Sequence, residues 1–236
     1  MISRRQTFKN MVGFAALTTA AVSAVQAQES CAVLTKESQT ATTPDAALKR
    51  LVDGNARFVA GKTVNCDLMK QVKETAYQQS PTAVIVGCID SRVPPELVFD
   101  QRIGDIFSAR VAGNFVNTDI LGSLEFATAA AGSKLIVVLG HSECGAIKGA
   151  VDDVKLGNLT SMLANIRPSL AKLNYVGVPS SKDKALVQKV ADQNAKDAAA
   201  MIMSKSPVIA DLVKAGKVKI VSAMHDIGTG KISFFS

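Results

Sequence analysis

Apolar and polar positions follow two rhythms along this chain. Short runs rich in β-branched residues recur at 83–86, 106–111, 135–139 and 218–221, each the length of a buried strand. Between them lie longer amphipathic or Ala-rich stretches at 118–131, 144–156 and 182–204. Apolar strands alternating with helical segments predict an α/β domain, a mostly parallel central β-sheet flanked by helices on both faces. Ahead of the first strand, "DAALKRLVDGNARFVAG" spaces Leu48, Leu51, Val52 and Phe58 for one helical face, which predicts an N-terminal arm helix over residues 44–59. Such a face needs cover, from the chain's own core or from a second subunit. Residues 161–205, interrupted by Gly177, Pro179 and Ser180, read as a helical hairpin on the sheet.

The first strand breaks abruptly into chemistry. In "VIVGCIDSRV", Cys88, Asp90 and Arg92 follow an apolar run at alternate positions, at the carboxyl end of a strand, where open α/β sheets bind their ligands. A second stretch, "KLIVVLGHSECGAIKGA", repeats the layout, with His141, Glu143, Cys144 and Gly145 after Gly140. Two neighbouring strand ends would bring Cys88, His141 and Cys144 to one spot. Two thiolates and an imidazole suit zinc, with the fourth position of the tetrahedron open or taken by Asp90. Iron and copper fit less well, because no further Cys, His or axial Met is placed to complete their sets. Glu143 reads as solvated, and His225, with no partner in sequence, as a packed strand residue.

The start of the chain changes the picture of where it works. Paired Arg4 and Arg5, an apolar run over about residues 11–25 and small residues ending at Ala27 have the layout of a signal peptide, predicting export after cleavage near Ala27 and a flexible tail over residues 28–43. Ser3-Arg4-Arg5 with Phe8 resembles a twin-arginine export signal, although Thr7 stands where that pattern has a large apolar residue; an ordinary secretory signal is the alternative. The run is too short to span a bilayer, and no later segment approaches the roughly 20 residues required. Losing Arg4, Arg5 and Lys9 with the leader reduces the formal charge of +7 by three. With no Trp, few aromatics and no Lys/Arg stripe, the composition excludes a nucleic-acid footprint.

The segments from Gly87 to Val93 and from Gly140 to Ala146 resemble the two signature motifs of the β-class carbonic anhydrases. "GNARF", "GDIFSARVAGN", "GSLEFA" and "DIGTGKISFF" extend the resemblance across residues 45–235, within one domain over 44–236. It implies an enzyme that hydrates carbon dioxide to bicarbonate and a proton. One zinc per chain would be held by Cys88, His141 and Cys144, with a zinc-bound hydroxide as nucleophile. It also implies an Asp-Arg dyad at Asp90 and Arg92, a substrate-contacting Gln at Gln79, and a homodimer or homotetramer whose arm helix lies across its neighbour. In that scheme Arg92 turns the Asp90 carboxylate off the metal, and Asp90 becomes a fourth ligand in a closed state when the pair breaks. The backbone N–H of Gly145 and Gln79 would bind the developing bicarbonate.

Three alternatives and one departure accompany this reading. Hydrolysis of carbon disulfide or carbonyl sulfide would use the same motifs, and a structural zinc module would use the ligands alone, leaving Asp90, Arg92 and Gln79 without purpose. A redox role through Cys144 lacks a C-x-x-C. An inhibitory bicarbonate site that some family members build with a Trp is not expected in a chain without one. Cys31 and Cys66 lie outside the motifs; in an oxidising compartment they either pair, tying tail to arm, or leave Cys31 in a disordered end.

Overall fold

The computed structural model describes residues 31–235, so the leader read over residues 1–27 lies outside the described residues. Five strands form one sheet: β1 (Ala83–Gly87), β2 (Ile106–Arg110), β3 (Leu135–His141), β4 (Lys219–His225) and β5 (Ile232–Phe234), in the order β2-β1-β3-β4-β5. The first four run parallel and β5 returns antiparallel on β4, as the predicted α/β class requires.

The near-continuous apolar runs of β1 and β3 are explained by cover on both faces. Ala83, Ile85, Leu135, Val137 and Leu139 point to one side and pack with Leu51 and Phe99. Val84, Val86, Ile136 and Val138 point to the other and pack with Leu124, Ala195, Ala198 and Ile202. Fully burying each such aliphatic side chain stabilises by roughly 1.5 to 3 kcal/mol, so the centre of the sheet is the rigid part of the molecule.

Three helices precede the sheet: α1 (Lys36–Ala41), α2 (Pro44–Val59) and α3 (Leu68–Thr75). The arm α2 has the predicted bounds because Thr43 caps the Ala46 N–H and Pro44 occupies its first turn, where no N–H is needed. It buries Ala47, Leu51, Gly54 and Asn55 against its own chain, while Val52 is 43% exposed. Arg50 and Arg102 both pair with buried Asp105, and Arg57 pairs with Asp100, tying the arm to the loop before β2.

After β1 come α4 (Pro95–Val98) and, beyond β2, α5 (Thr118–Glu125), which continues as a π-turn over Phe126–Ala130. Helix α6 (Gly145–Val151) follows β3 directly. Next are α7 (Gly157–Ala164), α8 (Arg167–Ala171), the long α9 (Lys184–Lys205) and α10 (Pro207–Lys214), before β4.

Two expectations need correction. The segment read as a tail over residues 28–43 carries α1 within its described part. Thr35 and Ser38 form a reciprocal cap, and the buried amide of Gln39 donates to Pro81 O and Ala131 O. Cys31 is disulfide-bonded to Cys66, which anchors this segment to the loop after the arm. The hairpin read over 161–205 is instead two short helices and a long one. Gly177, at φ +108°, and Pro179 keep the chain non-helical until Asp183 caps α9.

Candidate metal centre

β1 and β3 are paired in register with Gly87 opposite Leu139, so both strands end at the same edge of the sheet. The chain leaves β1 at Cys88 and leaves β3 after His141. A tight turn with Glu143 at φ +57° then presents Cys144 as the residue before α6. Cys88 Sγ, Cys144 Sγ and a ring nitrogen of His141 lie within 4.8 Å of one another, and all three residues are buried.

Two of the three side chains are aimed by a backbone neighbour. His141 Nδ1 donates to Ser142 O at 2.9 Å, the tautomer that leaves Nε2 with a free lone pair. That Nε2 is buried and has no hydrogen-bond partner. Cys88 Sγ accepts from Gly113 N–H at 3.3 Å, and Gly113 O accepts from the buried Asn194 amide of α9 at 2.8 Å. Gly113 stands at φ +82°, and a Cβ there would meet Ile166 at 2.5 Å, so only glycine brings its N–H to the sulfur.

The donor set fits zinc. The two sulfurs are 4.0 Å apart, close to the about 3.8 Å required of two sulfurs each about 2.3 Å from one tetrahedral centre. An orphaned imidazole nitrogen beside them is a group that a cation would satisfy. The Cys144 thiol donating to Cys88 holds the Cys88 thiol well below its ordinary range, with His141 and the Gly113 N–H acting in the same direction. That same bond, together with burial, pushes Cys144 up.

Asp90 stands at the rim of this cluster, its Oδ2 3.9 Å from His141 Nε2. Arg92 grips it three ways: Nε to Oδ1 at 2.9 Å, Nη2 to Oδ2 at 2.7 Å and the backbone N–H to Oδ1 at 3.0 Å. This bidentate grip holds the carboxyl well below the usual carboxylate range. The carboxylate therefore faces Arg92. Glu143 pairs with Lys148, in keeping with its reading as solvated. His225 is 2% exposed on β4, in register with His141, and burial lowers its pKa.

Gly145 is the first residue of α6 and exposed, beside Cys144. Gln79 is not brought to the cluster within one chain. It lies before β1, in an exposed loop beside Thr75, Tyr77 and Ile103. Five strand residues, roughly 17 Å, separate that end from Cys88.

Sequence reasoning missed the groups that act through the backbone. Besides Gly113 and Asn194, Arg110 donates from Nε to Cys88 O and from Nη2 to Asp90 O, both at 2.8 Å. The segment "GDIFSARVAGN" contains two of these three residues and was the available signal, although it names no contact.

Comparison with known proteins places this geometry in company. A family model described as carbonic anhydrase matches residues 83–232. A carbonic anhydrase of Mycolicibacterium smegmatis is 35% identical over 82% of this chain and 94% of its own length. Carbonic anhydrase 2 of Mycobacterium tuberculosis is 34% identical over 80% and 92%. One of two tetrameric β-carbonic anhydrases from the ascomycete Sordaria macrospora superposes with a TM-score of 0.61 at 25% identity, covering 71% of this chain and 90% of that one.

Proposed function

Because the chain belongs to the β-carbonic anhydrases, we propose that it interconverts carbon dioxide and bicarbonate at the centre formed by Cys88, His141 and Cys144, with Asp90 and Arg92 as its catalytic pair. The observation that carries this is the buried, unpartnered His141 Nε2 in a cluster with two cysteine sulfurs, with a restrained carboxylate 3.9 Å away. A structural metal site would need the ligands and not the carboxylate.

Cys88, His141 and Cys144 would hold one zinc per chain. Bound there, zinc acidifies water and so supplies a nucleophilic oxygen near neutral pH. Two anionic ligands temper this effect, which places the best rate on the alkaline side of neutrality. Asp90 accepts a hydrogen bond from the reacting water and so orients a lone pair toward carbon dioxide. Arg92 keeps the carboxylate in that role by filling its other lone pairs; were the pair to open, Asp90 would be free to turn toward the three residues that would hold the metal. The Gly145 N–H, at a helix start, favours the negative charge that develops on bicarbonate. Gln79 lies at the far end of β1, so it contributes only from a second copy of the chain.

That requirement supports a homo-oligomer, either a dimer or a tetramer. An apolar groove between Val52 and Val59 of the arm and Ile232 and Phe234 of the edge strand gives a second copy a place to dock. We also assign the protein to an exported location, either periplasmic or secreted. The leader over residues 1–27 supports it, as does the Cys31–Cys66 disulfide, a bond that persists in oxidising compartments. Among the described residues no helix is long and apolar enough to cross a membrane.

The test is stopped-flow hydration of carbon dioxide at pH 7.0 and 8.5 by the zinc-quantified protein, beside Asp90→Ala. One zinc per chain and a rate that rises with pH and collapses in the variant is the expected result. Stoichiometric zinc with no hydration at either pH would return the site to a sulfur-substrate hydrolase or a structural metal.

A further inference from the structure

Arg110 is the last residue of β2, in register with Gly87, and its side chain reaches across the gap that opens where β1 ends. The backbone ladder between these strands closes with Val111 N–H on Gly87 O at 3.0 Å. Beyond it the guanidinium takes over, donating from Nε to Cys88 O and from Nη2 to Asp90 O, both at 2.8 Å. We propose that Arg110 is a positioning residue for the metal centre: by fastening these two carbonyls in one plane, it sets the spacing between the Cys88 sulfur and the Asp90 carboxylate. The proposal rests on the zinc reading of the centre given above.

Arg110 touches neither the sulfur nor the carboxylate. It holds the two-residue stretch of backbone from which both hang. Side-chain packing cannot do this alone, because Ile89 between them is 61% exposed. Arg92 grips the Asp90 carboxylate from a half-exposed position, and Val93 N–H adds a backbone bond to Asp90 O at 3.1 Å, but neither reaches the carbonyl of Cys88. Gly113, backed by Asn194, restrains the Cys88 sulfur alone. Arg110 is the one side chain among these that joins the ligand to the dyad. A rigid planar fork is the right tool, since two carbonyls two residues apart must be met at once; a lysine ammonium is a single point.

The rival view is that Arg110 merely caps a strand end, in which case it would govern stability and leave metal retention alone. Zinc release from the full chain to a metallochromic chelator, read beside the melting temperature, separates the two. Arg110→Ala should release zinc about 10 to 100-fold faster than the parent, the range for residues that orient ligands. Millimolar methylguanidine should restore part of the slow release. Arg110→Lys should fall between, since one ammonium meets one carbonyl. Release at the parental rate from both variants, with or without a lower melting temperature, would overturn the proposal. If Arg110→Ala proves insoluble, Arg110→Lys decides by the same criterion. A parent that takes up no zinc would bring down the metal reading itself, and this proposal with it.

Discussion

Asp90 illustrates how much one neighbour can settle. With three donors from Arg92 on its two oxygens, its folded pKa lies below the ordinary 3.8. A depressed carboxylate contributes stability that is complete above the ordinary value and is lost only as pH falls through the lower, folded one. Asp90 should therefore remain ionised from pH 8 to pH 4, and a fall in activity over that interval belongs to another group. Carbon-13 NMR of the Asp90 carboxyl should be flat across this range; a titration step within it would contradict the pairing. At the ligands, Cys144→Ser should cost more zinc affinity than the about 10 to 100-fold lost with an orienting partner, as read from zinc retained after dialysis against a chelator. These residues were legible in the sequence because their side chains carry the chemistry and their motifs are compact. Arg110, Gly113 and Asn194 were not, because each contact has a backbone atom on one side, and its position depends on how the chain folds around the strand ends.

The arm helix was legible almost to the residue, since a Thr-Pro start and the spacing of its apolar residues both act locally. Helix α1 escaped because its sequence, KESQTA, is polar at every position but its last and its one buried residue is Gln39, which sequence pattern renders as surface. The arm also supplies a sharp test of packing. A Cβ on Gly54 would stand 1.8 Å from the Phe99 carbonyl oxygen, a backbone atom that cannot swing aside. Gly54→Ala should therefore destabilise by about 1 to 3 kcal/mol despite the better helix propensity of alanine. Thermal unfolding measures it; a melting temperature equal to or above the parent's would mean that the arm docks elsewhere. Asn55 adds a polar fastening, donating to Val98 O and Gly230 O and accepting from Ile232 N–H. Asn55→Leu strands the Ile232 N–H and should cost about 1 to 3 kcal/mol, visible as a lower denaturant midpoint.

Across the whole molecule, the Cys31–Cys66 bridge closes a loop spanning 35 positions that carries α1 and α2. Loop-closure entropy assigns it roughly 3 to 4 kcal/mol, so Cys31→Ser should lower the melting temperature by about 10 °C, and a reductant should lower the parent's to match. Equal melting temperatures with and without reductant would show that the bridge adds nothing. The strand order β2-β1-β3-β4-β5 was not written in any local pattern, because pairing between strands separated by whole helices depends on their shared burial. The same topology makes the metal centre a gauge of alignment. Cys88 and His141 follow directly from the pairing of Gly87 with Leu139. A slip of one residue between these strands would displace the ligands by about 3.3 Å and turn alternate side chains to the wrong face. On the zinc reading, only a correctly registered sheet would bring the three donors within 4.8 Å of one another, so zinc retained by the purified chain would report strand alignment as well as affinity.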